Sequence, residues 1–309
     1  MDVATERKRS RKRPRVEPKA EGGAPGPYPQ HKHPTVAEVR AVHDGLASLH
    51  PEVIERVLER KSSDNKREGG CGLRRMVLDA LVGTVLSQNT TDVNSRRAFA
   101  SLKDAFPTWE EVHAAPASEL EDSIRQGGLA ATKSKRIKAI LDALIEERGE
   151  LSLEHLRDLS DDDVKTALRR FNGVGAKTVS CVLLFCLGRA DFPVDTHVWK
   201  IALSLGWVPK TADRDGTYEH LNSRVPDDIK YALHVLLVEH GKQYKNSVSL
   251  IKELARAAPQ TEAVTEPEEV EVVKLEVKKE VKKEVKKEVK KEVKKEVKKE
   301  VKQEVKQEM

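Results

Sequence analysis

From Thr35 onward, apolar residues recur at three- and four-residue intervals, the spacing of helices that each bury one face. Thr35 stands where a cap would precede Val36, Val39, Val42 and Leu46, which predicts a helix reaching Leu49. Pro51 suits a first helical turn and opens a second run with Val53, Ile54 and Val57. The polar, glycine-bearing stretch 62–72 predicts a flexible loop. Met76, Val77, Ala80, Leu81, Thr84 and Val85 then predict a strongly buried helix. It ends in the turn Ser87-Gln-Asn-Thr-Thr-Asp92, where Thr91 or Asp92 caps a helix carrying Phe99 and Leu102. Gly127-Gly128-Leu129 interrupts the pattern, and Lys133, Lys135, Arg136 and Lys138 follow on a basic helix, readable as a solvated face or as a phosphate contact. Tyr218, Leu221, Ile229, Tyr231, Leu233, Leu236 and Leu237 supply two further helices up to Gly241. No comparable run alternates with the period of two that a strand requires, so the predicted fold is all-α.

Composition adds the boundaries. The chain has 309 residues, 38% hydrophobic and 35% charged, enough for one or two ordinary domains with tails. Its net charge of +5 is unevenly placed. Residues 1–34 hold nine Lys/Arg against four Asp/Glu, residues 266–309 hold fifteen against thirteen, and the remainder holds 32 against 34. A basic face on the body must therefore come from local clustering. The division predicted is a disordered basic arm over 1–34, with 16–34 as linker, a folded unit over 35–258, and a low-complexity tail over 259–309. The cluster Arg7-Lys-Arg-Ser-Arg-Lys-Arg-Pro-Arg15 reads as a nuclear-localisation or nucleic-acid patch, and the expected address is the nucleus. The three cysteines, Cys71, Cys181 and Cys186, offer no disulfide framework and suit a reducing compartment. No apolar run approaches the length of a membrane span, and there is no signal-peptide pattern.

One stretch organises the rest. Leu168-Arg-Arg-Phe-Asn-Gly-Val-Gly-Ala-Lys177 reads as helix, tight hairpin, helix, with Gly173 and Gly175 free to take positive φ and Lys177 in the first turn of the second helix. Free amides at such a helix start favour a phosphate oxygen. Eighteen residues beyond Lys177, Asp195 in Phe192-Pro-Val-Asp-Thr-His-Val-Trp199 sits as an N-cap would. A lone lysine, a lone Gly-Val-Gly or a lone capping aspartate is commonplace; their coincidence at this spacing is not.

That joint pattern resembles the helix-hairpin-helix, Gly/Pro-rich-loop-and-Asp superfamily of DNA glycosylases over about Leu73 to Gly241. Within it the likeness runs to the endonuclease III-like branch and to plant-type homologues, including the Demeter-like 5-methylcytosine glycosylases, through Leu86-Ser-Gln-Asn89 and Leu205-Gly-Trp-Val-Pro209. The resemblance implies two helical lobes, the inner one about 73–190, with double-stranded DNA across the cleft and the target base flipped out. It implies base-excision repair, with apurinic/apyrimidinic (AP) lyase activity through a Schiff base on Lys177, and Asp195 as the carboxylate that stabilises developing charge or activates the nucleophile. The hairpin amides of Gly173, Val174 and Gly175 would grip a phosphate, hairpin carbonyls could hold a monovalent cation, and Gln88 or Asn89 would fill the gap left by the flipped nucleotide. An oxidised pyrimidine is the expected substrate; 5-methylcytosine excision and a non-catalytic DNA-binding module are the rival readings.

The chain departs from these relatives in two places. Asn172 stands where the family most often has proline. Where many endonuclease III-like proteins place the cysteines of a [4Fe–4S] cluster, the text is Gly241-Lys-Gln-Tyr-Lys-Asn-Ser-Val248, so no iron–sulfur cluster and no other metal is expected. Packing of Val248, Leu250, Ile251 and Leu254 would have to close that end of the lobe. From Val273 to Glu308 the tail is nine units of the type Val-Lys-Lys-Glu, each resembling the acceptor motif for SUMO conjugation, on a protein expected to act as a monomer.

Overall fold

The computed structural model describes residues 26–62, 76–244, 249 and 251. The described residues form helices and turns and contain no strand, in keeping with the all-α expectation. Their order is α1 (Val36–Leu49), α2 (Pro51–Ser62), α3 (Val77–Leu86), α4 (Asp92–Ala105), α5 (Trp109–Ala114), α6 (Ala117–Ser123), α7 (Ala130–Arg148), α8 (Asp161–Arg169), α9 (Ala176–Cys181), α10 (Thr196–Leu205), α11 (Arg214–Arg224) and α12 (Lys230–Gln243). A π-helical stretch, Val182–Cys186, extends α9.

Local chemistry sets most helix starts. Thr35 makes a capping box with Glu38, and the side chains of Thr91, Thr108, Ser160, Asp195 and Asp213 each accept a hydrogen bond from a backbone amide three residues on. Helix α3 has no such cap but buries nine residues, Val77, Leu78 and Ala80 to Leu86, and so forms the axis of the first core. Met76 lies before the helix and is exposed, as is Val36 at the start of α1, because each precedes the turn that packs.

Two separate cores result. The first gathers α3 to α9, from Val77 to Leu183. The second joins α1 and α2 to α10, α11 and α12, from Val39 to Ile251, so the chain leaves one lobe, builds the other and returns. Helix α9 lies on the seam: its Val179, like Val174 in the hairpin before it, belongs to the first core while Ala176 packs against the second. The return crossing is latched by the buried carboxylate of Asp191, which meets Lys165 of α8 at 2.9 Å and accepts a hydrogen bond from the Tyr218 hydroxyl of α11 at 3.1 Å. Burial and the Asp191 charge both push the Tyr218 phenol upward, so it stays a donor.

Residues 26–34 are not a linker. Arg224 of α11 donates to the carbonyls of His31 and Lys32, His220 bonds the His33 carbonyl at 2.7 Å, and His31 Nε2 bonds the Gly206 carbonyl at 2.8 Å. The segment is strapped to the second lobe because its backbone acceptors find fixed donors, which composition cannot report. Helix α12 also runs past Gly241, whose missing Cβ admits the His197 ring of α10. Of the stretch 62–72 expected as a loop, Ser62 ends α2 and the rest lies outside the described residues, as do the basic cluster 7–15, Val248, Leu250, Leu254 and the repeats from Val273.

Candidate active site and nucleic-acid interface

Lys177 is the second residue of α9, half-buried at the seam between the cores. Asp195 caps α10, its Oδ1 accepting from the Val198 amide at 2.8 Å, which fixes the carboxylate at the start of that helix. The buried His234 of α12 lies within electrostatic reach of both Asp195 and Lys177. Burial pushes its imidazole down to about 4, so it is neutral, and its Nδ1 donates to the Pro193 carbonyl at 2.9 Å. His234 thereby fixes the backbone two residues before Asp195.

A second charged group closes the same side. Lys242, in the last turn of α12, reaches Asp92 at the start of α4 at 2.6 Å and Glu239 at 3.0 Å, joining the two lobes. Burial pushes the Asp92 carboxyl up, but the Lys242 hydrogen bond and the charges of Lys242, Arg96 and Lys177 outweigh it and hold it below the usual range. Sequence reading offered Asp92 only as a cap and missed Lys242, since the pair is 150 residues apart.

The hairpin differs in detail from its expected form. Gly173 has φ +81°, but Gly175 has φ −90°, which any residue can adopt. The Val174 amide donates to the Phe171 carbonyl at 3.0 Å and is therefore not available to a phosphate. The missing Cβ of Gly173 also leaves room for the Arg136 side chain, whose Nε would lie 2.5 Å from a Cβ there.

Of the two residues considered for the gap beside a flipped nucleotide, Gln88 is half-buried and turned toward the hairpin. Its Nε2 donates to the Gly173 carbonyl at 2.9 Å and its Oε1 accepts from Arg136 at 2.7 Å, so neither end of the amide faces outward. Asn89 is exposed at the tip of the turn with φ +53°. A residue that sequence reading did not single out as a site stands beside it in kind: Leu129 is 56% exposed with φ +52°. A left-handed leucine costs about 1–2 kcal/mol and persists only where surrounding structure imposes it. The signal in the sequence was an apolar residue directly after Gly-Gly and before a basic helix. Of that helix's cations, Lys133 is buried and Lys138 bonds the carbonyls of His113 and Ala115, so neither belongs to a solvated face.

With the site in place, the likenesses are decisive. The family description HhH-GPD superfamily base excision DNA repair protein matches residues 82–227. An Arabidopsis thaliana protein whose name proposes a DNA glycosylase is 51% identical over 235 residues, covering 71% of this chain and 80% of that one. The chain belongs to the HhH-GPD superfamily of base excision DNA repair proteins. The Arabidopsis DNA glycosylase/AP lyase ROS1 is 39% identical over 118 residues, which is 38% of this chain and 8% of ROS1. A trapped endonuclease III–DNA covalent intermediate shares the fold with a TM-score of 0.52 at 25% identity, covering 67% of this chain and 86% of that one. Family and relatives together make this HhH-GPD protein a DNA glycosylase. A four-cysteine iron–sulfur cluster does not fit it, because the chain has three cysteines and two of them, Cys181 and Cys186, sit in or beside α9 in the first lobe.

Proposed function

We propose that the protein excises a damaged or modified base from double-stranded DNA and then cleaves the abasic site as an AP lyase through Lys177. The observation that carries this reading is that Lys177, in the first turn of α9, and Asp195, at the cap of α10, both lie within electrostatic reach of the buried His234 of α12. DNA would lie across the cleft with Asn89 and Leu129 entering the duplex, and the target nucleotide would rotate out towards α9 and α10. The Asp195 carboxylate stabilises positive charge developing on the sugar as the base departs with its bonding electrons. Neutral Lys177 attacks C1′, the C1′–O4′ bond opens as O4′ takes a proton and a Schiff base forms, and loss of a C2′ proton then expels the 3′ phosphate by β-elimination. A free lysine has a pKa of about 10.4, so the site must remove its proton, and Asp195 is the acceptor in reach of the same cleft.

An oxidised pyrimidine is the proposed substrate. The stretch shared with ROS1 keeps 5-methylcytosine as the second reading. Amides of Gly173 and Gly175 at the hairpin would hold a phosphate. Any monovalent cation there would share the Gly173 carbonyl with the Gln88 amide. The 7–15 cluster would supply a nuclear address, and the Val-Lys-Lys-Glu units would accept SUMO. The test is borohydride trapping of the purified monomer on a duplex holding an abasic site, across a panel of damaged bases. Wild-type protein should trap covalently and Lys177→Gln should bind without trapping. Binding by the wild type with no trapping would overturn the lyase reading in favour of a DNA-binding module.

A further inference from the structure

Helix α7 carries two basic residues three apart on one face, Lys133 and Arg136, and both point inward. Lys133 is 1% exposed, and its ammonium donates to the Leu86 carbonyl at 2.7 Å and to the Gly127 carbonyl at 2.8 Å. Leu86 ends α3 three residues before Asn89, and Gly127 stands two residues before Leu129. One ammonium therefore clamps the roots of both turns that end in exposed, left-handed residues. The turns pack closely there: a Cβ on Gly127 would lie 3.1 Å from the Ala98 Cβ and 3.9 Å from the Leu86 carbonyl. One helical turn on, Arg136 donates to Gln88 Oε1 at 2.7 Å, and Gln88 Nε2 passes the connection to the Gly173 carbonyl at 2.9 Å and to Thr178 Oγ1 at 3.3 Å.

A core role alone does not account for a lysine at this place. Burying an ammonium is costly, both partners here are neutral carbonyls, and a leucine or methionine would fill the same volume without that cost. What the ammonium adds is several directed donors, aimed at the carboxyl end of α3 and at the Gly127 turn.

We propose that Lys133 and Arg136 are positioning residues that fix Asn89 and Leu129 as a rigid two-pronged insertion element and set it in register with the hairpin. This rests on the reading that the cleft takes duplex DNA with one nucleotide extruded. Extrusion costs a few kcal/mol of stacking and pairing, and a probe that yields under that load cannot hold the duplex open. A displacement of about 1 Å between the probe and the chemistry can cost about a hundredfold in rate.

The test compares wild type with Lys133→Met and Arg136→Met in the full chain, using two abasic substrates and one optical probe. Trapping is measured on a duplex abasic site and on the same oligonucleotide as a single strand, where no duplex needs wedging. Insertion is followed as the fluorescence rise of 2-aminopurine placed opposite the abasic site at saturating protein, which needs no chemistry. Both variants should lower the duplex-to-single-strand trapping ratio tenfold or more and blunt the fluorescence rise. A general loss of folding would lower both substrates alike, and that outcome, or an unchanged ratio and fluorescence, overturns the proposal. If Lys133→Met does not fold, the half-buried Arg136→Met decides alone. If even wild type fails to trap, the lyase reading falls and the fluorescence arm still judges the positioning role.

Discussion

Replacing Gly173 with alanine should test how the hairpin is held. The added methyl meets two costs that can be separated. The first is intrinsic: at φ +81° an alanine is left-handed, which costs about 1–2 kcal/mol whatever surrounds it. The second is a collision, since the new Cβ would lie 2.5 Å from Arg136 Nε and 2.7 Å from its Cζ. Those atoms belong to a long side chain that can swing away, so the collision itself is relieved. The consequence is loss of the Arg136 hydrogen bond to Gln88, a charge-assisted contact of about 1.5–3 kcal/mol, taken at its lower end because water reaches half-buried Arg136. The sum is about 3 kcal/mol. In an Arg136→Ala background the collision and the hydrogen bond are both gone, and Gly173→Ala should cost only its left-handed term, about 1–2 kcal/mol. Urea denaturation of the four proteins, followed by circular dichroism, yields the coupling directly from midpoints at constant slope. Equal costs in the two backgrounds, within about 0.5 kcal/mol, would refute the packing of Arg136 over Gly173 as the reason for glycine.

Two further expectations follow from the site. His234 is held neutral to about pH 4 when folded, against about 6.5 unfolded, so the unfolded chain binds more protons between those values. Stability should therefore fall as pH drops from about 6.5 to about 4; His234→Gln should flatten that slope, and an unchanged slope would remove His234 as its cause. The chain has no cysteine after Cys186, so protein purified without oxygen should fold colourless, and stoichiometric iron with sulfide would contradict it.

What the sequence determined alone was the part of the structure written in short-range chemistry. Helix period, the caps at Thr35, Thr91 and Asp195, and the stop at Gly206 with φ +74° each depend on partners within a few residues, so their residue types announce them. The places of Lys177 and Asp195 were legible for a different reason: both sit at helix starts whose positions the local pattern already marked. Tertiary packing decided everything that hangs on a distant partner. Composition reads Gly26 to Pro34 as linker until Arg224 and His220 take up its carbonyls. Lys133 reads as surface until α3 and the Gly127 turn close over it, and Gln88 and Asn89 exchange interior for exterior within a single turn. The hydrogen bonds concerned span 47, 85, 187 and 192 residues of chain. A side chain's type states which bonds it can make, but only the closed fold determines which partner it meets and whether water is there to compete.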